Sequence, residues 1–213
     1  MGIRTLVVFA RAPVRGQVKT RLARSVGDDA ALALHLAFVS DVCGLGRGVA
    51  DRRVLAVAGA LDGFPPAPDL TIVAQEGAEL GARMANAIAR YVGDGPVCIV
   101  GSDSPSLPRE YLVEAFERLK EADVVLGPST DGGYWLIGAR RPAPELFGGI
   151  EWGTPSVLTA TLERLKDARA ALLPFFYDVD EAADLALLRA HLALLPATVA
   201  PATRQALAHL GIS

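Results

Sequence analysis

Short apolar runs alternate with longer stretches of helical periodicity along the whole chain. TLVVFA (Thr5 to Ala10) is apolar at nearly every position and too short for a helix, so it predicts a strand buried on both faces. RVLAVAG and LTIVAQ predict a second and a third strand, and GPVCIVGSDSP a fourth that stops at a polar turn. DVVLGPS, GYWLIGA and LLPFFYDVD are further strand candidates. From Asp28 to Cys43 the pattern changes: Leu32, Leu36, Val39 and Cys43 recur at helical spacing, with GDD supplying a cap and first-turn acids. Helices are also expected from Glu79 to Tyr91, over SLPREYLVEAFERLKEA opened by Pro108, over PSVLTATLERLKDA and over EAADLALLRAHLALL. The tail after Pro196 predicts one last short helix covering a sheet edge. This alternation defines an α/β domain, Rossmann-like, with a mostly parallel central sheet flanked by helices. No repeat or linker divides it, and the Pro-rich stretch Leu61 to Leu70 reads as a loop between strands, so residues 1–213 are expected to form one domain.

Composition narrows the picture. At 51% hydrophobic and 21% charged, the chain has enough apolar surface to bury a core, which excludes disorder. A net charge of -3 argues against a general nucleic-acid binder, whose footprint would be a broad basic face. Cys43 and Cys98 sit in apolar surroundings and read as buried free thiols in a reducing compartment. The first apolar run is cut short by Arg11, so it is not a signal peptide, and no stretch is long enough for a membrane span. A cytoplasmic location is the expectation.

In open α/β sheets, ligands gather at the carboxyl ends of the strands. ARAPVRGQVKTR follows the first strand, GSDSP the fourth, GPSTDGGYW the next and YDVDEAAD the last. One of these segments is basic and three are acidic. Several familiar motifs fail on inspection. GQVKT lacks the glycine before Lys19 that a Walker loop requires. GLGRGVA has Val49 in place of the last glycine of a dinucleotide fingerprint and follows a helix, so it reads as a helix-ending turn. GPSTD is one glycine short of a nucleophile elbow. His35, His191 and His209 all fall in helical patterns without a second ligand at metal spacing, and read as packing or surface residues.

The basic segment gathers Arg11, Arg15, Lys19, Arg21 and Arg24 with no acid among them. Arg24 reads as a solvated helix face. Lys19 and Arg21 stand at a helix start, where cations are disfavoured unless an anion is bound, and Gly16 lets the backbone approach closely. Phosphate binding is the reading this supports. A polyphosphate site calls for a divalent metal on one or two carboxylates; Asp103 is the first candidate, with Asp178 or Asp180 as the second. Taken alone, DVDEAAD is also an ordinary acid-decorated helix start. Asp131, in a glycine-rich turn beside Tyr134 and Trp135, is a candidate substrate-facing carboxylate.

FARAPVRGQVKTRLA, LGARMANAI, GSDSPSLP, GPSTDGGYWLIG, EWGTPSVL and DVDEAADL occur in this order. Together they resemble a bacterial family of the glycosyltransferase-A (nucleotide-diphospho-sugar transferase) fold, labelled as glycosyltransferases, some associated with arsenosugar biosynthesis. More distantly the chain is similar to phospholactate guanylyltransferase and molybdenum cofactor guanylyltransferase. The resemblance implies a metal-dependent transferase with Mg²⁺ or Mn²⁺ on Asp103 and on Asp178 or Asp180. Its partners would be a nucleotide or nucleotide-sugar donor and a small acceptor. Lys19 and Arg21 would neutralise phosphate charge, with Arg11, Arg15, Gly16 and Arg83 around them, and Asp131 would orient or deprotonate the acceptor. Gly132, Gly133, Tyr134 and Trp152 would line the acceptor pocket. Glycosyl transfer is the first expectation and nucleotidyl transfer the alternative; a protein that binds a nucleotide without turnover is a third. Two departures stand out. Ala82 occupies a position where the family more often has Glu, and Gly101 stands where a full D-x-D would have its first acid.

Overall fold

The apolar runs become strands because helices cover both of their faces. The computed structural model describes residues 2–65, 67, 69–165 and 168–212. Seven strands form one sheet: β1 (Thr5–Arg11), β2 (Arg52–Ala58), β3 (Thr71–Ala74), β4 (Val97–Gly101), β5 (Val124–Pro128), β6 (Tyr134–Ala139) and β7 (Ala170–Leu172). Their order is β3-β2-β1-β4-β6-β5-β7. β1 pairs in parallel with β2 and β4, while β6 runs antiparallel between β4 and β5. The sheet is therefore mostly parallel, as expected, with one reversed strand inside it.

The helices are α1 (Thr20–Val26), α2 (Asp28–Leu45), α3 (Leu80–Tyr91), α4 (Arg109–Arg118), α5 (Val157–Leu165), α6 (Ala182–Leu194) and α7 (Pro201–His209). Alternate residues of β1 divide between two cores. Leu6 and Val8 pack with Val42 of α2 and Phe116 of α4, and Val7 packs with Met84 and Ile88 of α3. A third core joins Leu22 of α1, Leu34 and Phe38 of α2, Val179, and Leu188 of α6. That third core matters most for function, because it fixes the start of α1 against the segment that carries Asp178 and Asp180.

Two expectations differ from the structure. LLPFFYDVD does not continue as a strand: β7 ends at Leu172, and beyond it only Phe176 bridges to Ser129. Pro174 has no N–H to give to the ladder, so the segment follows β5 as irregular extended chain. The last helix, α7, does not cover a sheet edge; it packs on α2, with Leu207 in the third core and Thr203 bonded to Asp41. The helix expected over PSVLTATLERLKDA is seen as far as Leu165, and residues 166–167 lie outside the described residues, as do 66 and 68 of the Pro-rich loop. Both cysteines are buried free thiols. Among the described residues no helix is long and apolar enough to cross a membrane.

Candidate functional site

The chain leaves β1 at Arg11 and turns through Gly16 (φ 73°) to Lys19, which caps α1 in a left-handed conformation (φ 47°). Glycine adopts this region freely; a lysine there costs about 1–3 kcal/mol and persists only where its surroundings determine it. Here they do. The Lys19 side chain is only 4% exposed, and its ammonium sits 2.5 Å from Asp103 Oδ1 and 2.9 Å from Asp180 Oδ1. It also donates to the Val179 carbonyl at 2.6 Å, so all three of its protons have a partner. Burial works to lower the Lys19 pKa, but the two carboxylates outweigh it and hold the ammonium above its ordinary value. For Asp103 burial pushes the other way, and the Lys19 charge brings its carboxyl below the usual range.

Asp103 stands in the turn after β4, and its carbonyl accepts a hydrogen bond from Val179 N at 2.9 Å, which ties the two acid-bearing segments together. Asp178 lies next to this pair, with both oxygens engaged by hydroxyls: Ser104 Oγ donates to Oδ1 at 2.6 Å and Ser129 Oγ to Oδ2 at 2.8 Å. Burial pushes its carboxyl up to about 6; the two serines oppose that rise, while repulsion from Asp103 and Asp131 adds to it. The acids of DVDEAAD thus divide by role. Glu181 and Asp184 form the capping box of α6, and Asp184 accepts hydrogen bonds from the backbone N–H groups of Asp180 and Glu181. The carboxylates of Asp178 and Asp180 take no part in the cap: that of Asp180 pairs with Lys19, and that of Asp178 is held by Ser104 and Ser129.

The remaining candidates scatter more widely. Arg11 and Arg83 line an open cleft of ≈ 470 Å³ together with Val14, Gln17 and Gly59, beside the ends of β1 and β2. His35 anchors the end of β1 through Nε2, 3.0 Å from the Arg11 carbonyl, and burial lowers its pKa, so it is a neutral donor there. The Arg83 guanidinium donates to the Gly77 carbonyl at 3.0 Å. Arg15 is 61% exposed and held by Asp29 at 2.6 Å and Asp28 at 3.7 Å, away from the acids. Arg21, in the first turn of α1, is exposed and makes no ion pair among the described residues. Asp131 folds back on its own turn, accepting the Gly133 N–H at 2.9 Å.

Gly132 (φ 90°) brings that turn against Pro155: an added Cβ would overlap the Pro155 carbonyl oxygen. Gly132→Ala is therefore expected to destabilise the protein by about 1–3 kcal/mol, read as a lower midpoint in urea with unchanged slope. Tyr134 and Trp152 meet edge to face at 6.4 Å, and Trp152 packs on Phe147 and on Gly81 of α3. Among the described residues the buried Tyr134 hydroxyl and Trp152 Nε1 have no hydrogen-bond partner. Ser104 and Ser129, which fix Asp178, were not legible as site residues. The one signal was the serine in GPSTD, which fails as a nucleophile elbow and works instead as a hydrogen-bond donor.

A mostly parallel sheet flanked by helices, with cations and paired acids beyond its strand ends, has the layout of the nucleotide-diphospho-sugar transferase fold. Comparison with solved structures agrees. The chain superposes with a TM-score of 0.87 and 30% identity on a Desulfovibrio desulfuricans protein assigned by name to the nucleotide-diphospho-sugar transferases, covering 99% of this chain and 97% of that one. The fold is shared with 4-diphosphocytidyl-2C-methyl-D-erythritol synthase from Anaerococcus prevotii, at TM-score 0.57 and 9% identity over 90% of this chain and 99% of the other. By sequence, residues 46–154 match the family described as "Uncharacterized protein conserved in bacteria (DUF2064)", and the chain belongs to it. It is also 31% identical over 185 residues to the 2-phospho-L-lactate guanylyltransferase of Methanopyrus kandleri, covering 86% of this chain and 89% of that protein.

Proposed function

We propose that this protein is a divalent-metal-dependent nucleotidyltransferase that joins a nucleoside triphosphate to a small phosphorylated acceptor. The observation that carries it is the convergence of Asp103 and Asp180 on one cation, Lys19 Nζ. Two carboxylates aimed at one positive centre suit Mg²⁺ or Mn²⁺, which take one or two carboxylates and fill the remaining positions with water and phosphate oxygens. Among the described residues no group of three or more His, Cys, Asp or Glu side chains could hold a metal ion, so substrate phosphates would have to complete the shell. Asp103 and Asp180 would hold the ion, with Asp178 beside them as the acid whose charge Ser104 and Ser129 stabilise. When bound, the ion supplies charge neutralisation to the phosphates.

The chain's own residues do the rest. Arg11 and Arg83 line the cleft that would receive the nucleoside end, and Lys19 and Arg21 face the phosphates. An acceptor phosphate oxygen attacks the α-phosphorus, the new O–P bond forms, the bond to the β-phosphate bridge breaks, and pyrophosphate leaves with the electron pair. A phosphate nucleophile is already ionised at neutral pH and needs no general base. Catalysis then comes from positioning and charge neutralisation, which is what Lys19, Arg21 and the paired acids offer. The guanylyltransferase name of the Methanopyrus relative supports the same reading. We place the protein in the cytoplasm, where nucleoside triphosphates are available.

Glycosyl transfer from a nucleotide sugar is the second reading, favoured by the name of the Desulfovibrio protein. There Asp131 would act on an acceptor hydroxyl, with Tyr134 and Trp152 near the acceptor. A thermal-shift screen of nucleoside triphosphates and nucleotide sugars, each with and without Mg²⁺, separates the two. A ligand at 100 times its Kd adds about 2.7 kcal/mol of stability. The expected winner is a triphosphate with Mg²⁺. A larger shift from a nucleotide sugar hands the function to glycosyl transfer.

A further inference from the structure

Lys19 occupies the place between the acids that a metal ion would take. Its ammonium lies within 2.9 Å of Asp103 and Asp180, all three of its protons are bonded, and the Phe38 ring covers it at 5.5 Å. A dication cannot join those two carboxylates while a monocation stays between them, because like charges at contact repel strongly where little water screens them. Nor is Lys19 relaxed in this position. It is one of only two non-glycine residues with positive φ among the described residues, so its backbone is strained in the conformation that carries this contact.

We infer that Lys19 is a specificity-determining internal cation that admits the metal only as its polyphosphate complex and excludes the free ion. The inference rests on the metal reading of Asp103 and Asp180. A polyphosphate brings enough negative charge to draw the ammonium off the carboxylates and onto its own oxygens, and the same movement opens the two acids to the ion. Lys19 therefore exchanges partners, carboxylates for phosphate, in one step. Two consequences follow for the site. Free divalent metal binds weakly, and metal and polyphosphate strengthen each other's binding by the same factor, as linkage requires. The acids are also kept neutralised between turnovers, so the paired negative charge of Asp103 and Asp180 is never left without a cation.

The test is a calorimetric titration of Mn²⁺ into the wild type and Lys19→Met, each with and without inorganic pyrophosphate. Without pyrophosphate, Lys19→Met is expected to bind Mn²⁺ on the order of 10- to 100-fold more tightly than the wild type. Pyrophosphate should tighten Mn²⁺ binding to the wild type and do so much less for the variant. Equal or weaker Mn²⁺ binding by Lys19→Met, with the wild type binding well in the presence of pyrophosphate, overturns the inference and leaves the metal site standing. No Mn²⁺ binding by the wild type under either condition removes the metal reading itself, and the inference with it. A variant that does not fold is bypassed by the wild type, because Lys19, Lys120 and Lys166 are the chain's three lysines. With carbon-13 at the lysine side chains, the Lys19 signal should move on adding Mg²⁺ with pyrophosphate and stay in place with Mg²⁺ alone. Movement of equal size with Mg²⁺ alone overturns the inference.

Discussion

Asp103→Asn is expected to lower turnover by about 10²- to 10³-fold, the usual loss when one preorganised charge-stabilising group is removed from a reacting centre. The substitution keeps the shape of the side chain and takes away one of the two carboxylates that meet at Lys19. The fold should hold. The Asp103 carbonyl still accepts the Val179 N–H, and Lys19 keeps Asp180 and the Val179 carbonyl as partners when the Asp103 charge is gone. Losing the charge also removes one source of repulsion on Asp178. The measurement is pyrophosphate release under saturating triphosphate, Mg²⁺ and a phosphorylated acceptor, with circular dichroism as the control for folding. The pattern of loss matters as much as its size. A fall in kcat with the triphosphate still bound fits an acid that acts through the metal during the reaction. A rise in KM with kcat unchanged would mean that Asp103 serves only ground-state binding, and would end its assignment as a metal ligand.

How much of this was readable in the chain depends on where each residue's partners lie. The strands were legible because burial on both faces leaves unbroken apolar runs such as TLVVFA, and α2 was legible from Leu32, Leu36, Val39 and Cys43. LLPFFYDVD was misread because its apolar pattern mimics a strand while Pro174 interrupts the ladder; the run is apolar because Leu173 and Phe176 pack in a core. The site was half legible. Lys19 and Asp103 stand out locally, each in a strand-end segment of unusual charge. That Lys19 also meets Asp180 was hidden, since the two stand 161 positions apart in the chain and are brought together by the third core. The pairing of Arg15 with Asp29 was equally hidden. In sequence it counts toward the phosphate-binding charge, and in the fold it is tied to the first turn of α2. Asp178 and Asp180 shared one motif with Glu181 and Asp184, and only the capping geometry separates the acids that cap the start of α6 from those held by Lys19, Ser104 and Ser129.

The same logic identifies the side chain on which the C-terminal helix depends. Asp41 of α2 is buried, and its carboxylate accepts hydrogen bonds from Ala202 N at 3.0 Å, Thr203 N at 2.8 Å and Thr203 Oγ1 at 2.6 Å. The start of α7 has no side-chain cap from its own N-cap residue: Ala200 stands there in a left-handed conformation with no side-chain bond. Asp41 supplies that cap from α2. Asp41→Ala is expected to destabilise the protein by about 2–4 kcal/mol, combining a lost cap with buried donors left unpaired. For a chain of this length that corresponds to a fall in Tm of roughly 5–15 °C. Asp41→Asn keeps one acceptor oxygen and should lose about half as much. The pH dependence has a definite sign. Burial raises the Asp41 pKa above its ordinary value, against the pull of its three hydrogen bonds. The folded state therefore holds this proton more tightly than the unfolded chain does. Its contribution to stability is full below the unfolded pKa of about 3.9 and falls as pH rises through the folded value. In Asp41→Asn that component should vanish, so wild type and variant should differ less above the folded pKa than at acid pH. Thermal melts of the two proteins across the acid range decide this: a gap that widens as pH rises would mean that the hydrogen bonds outweigh burial and that the carboxylate is stabilised in its charged form.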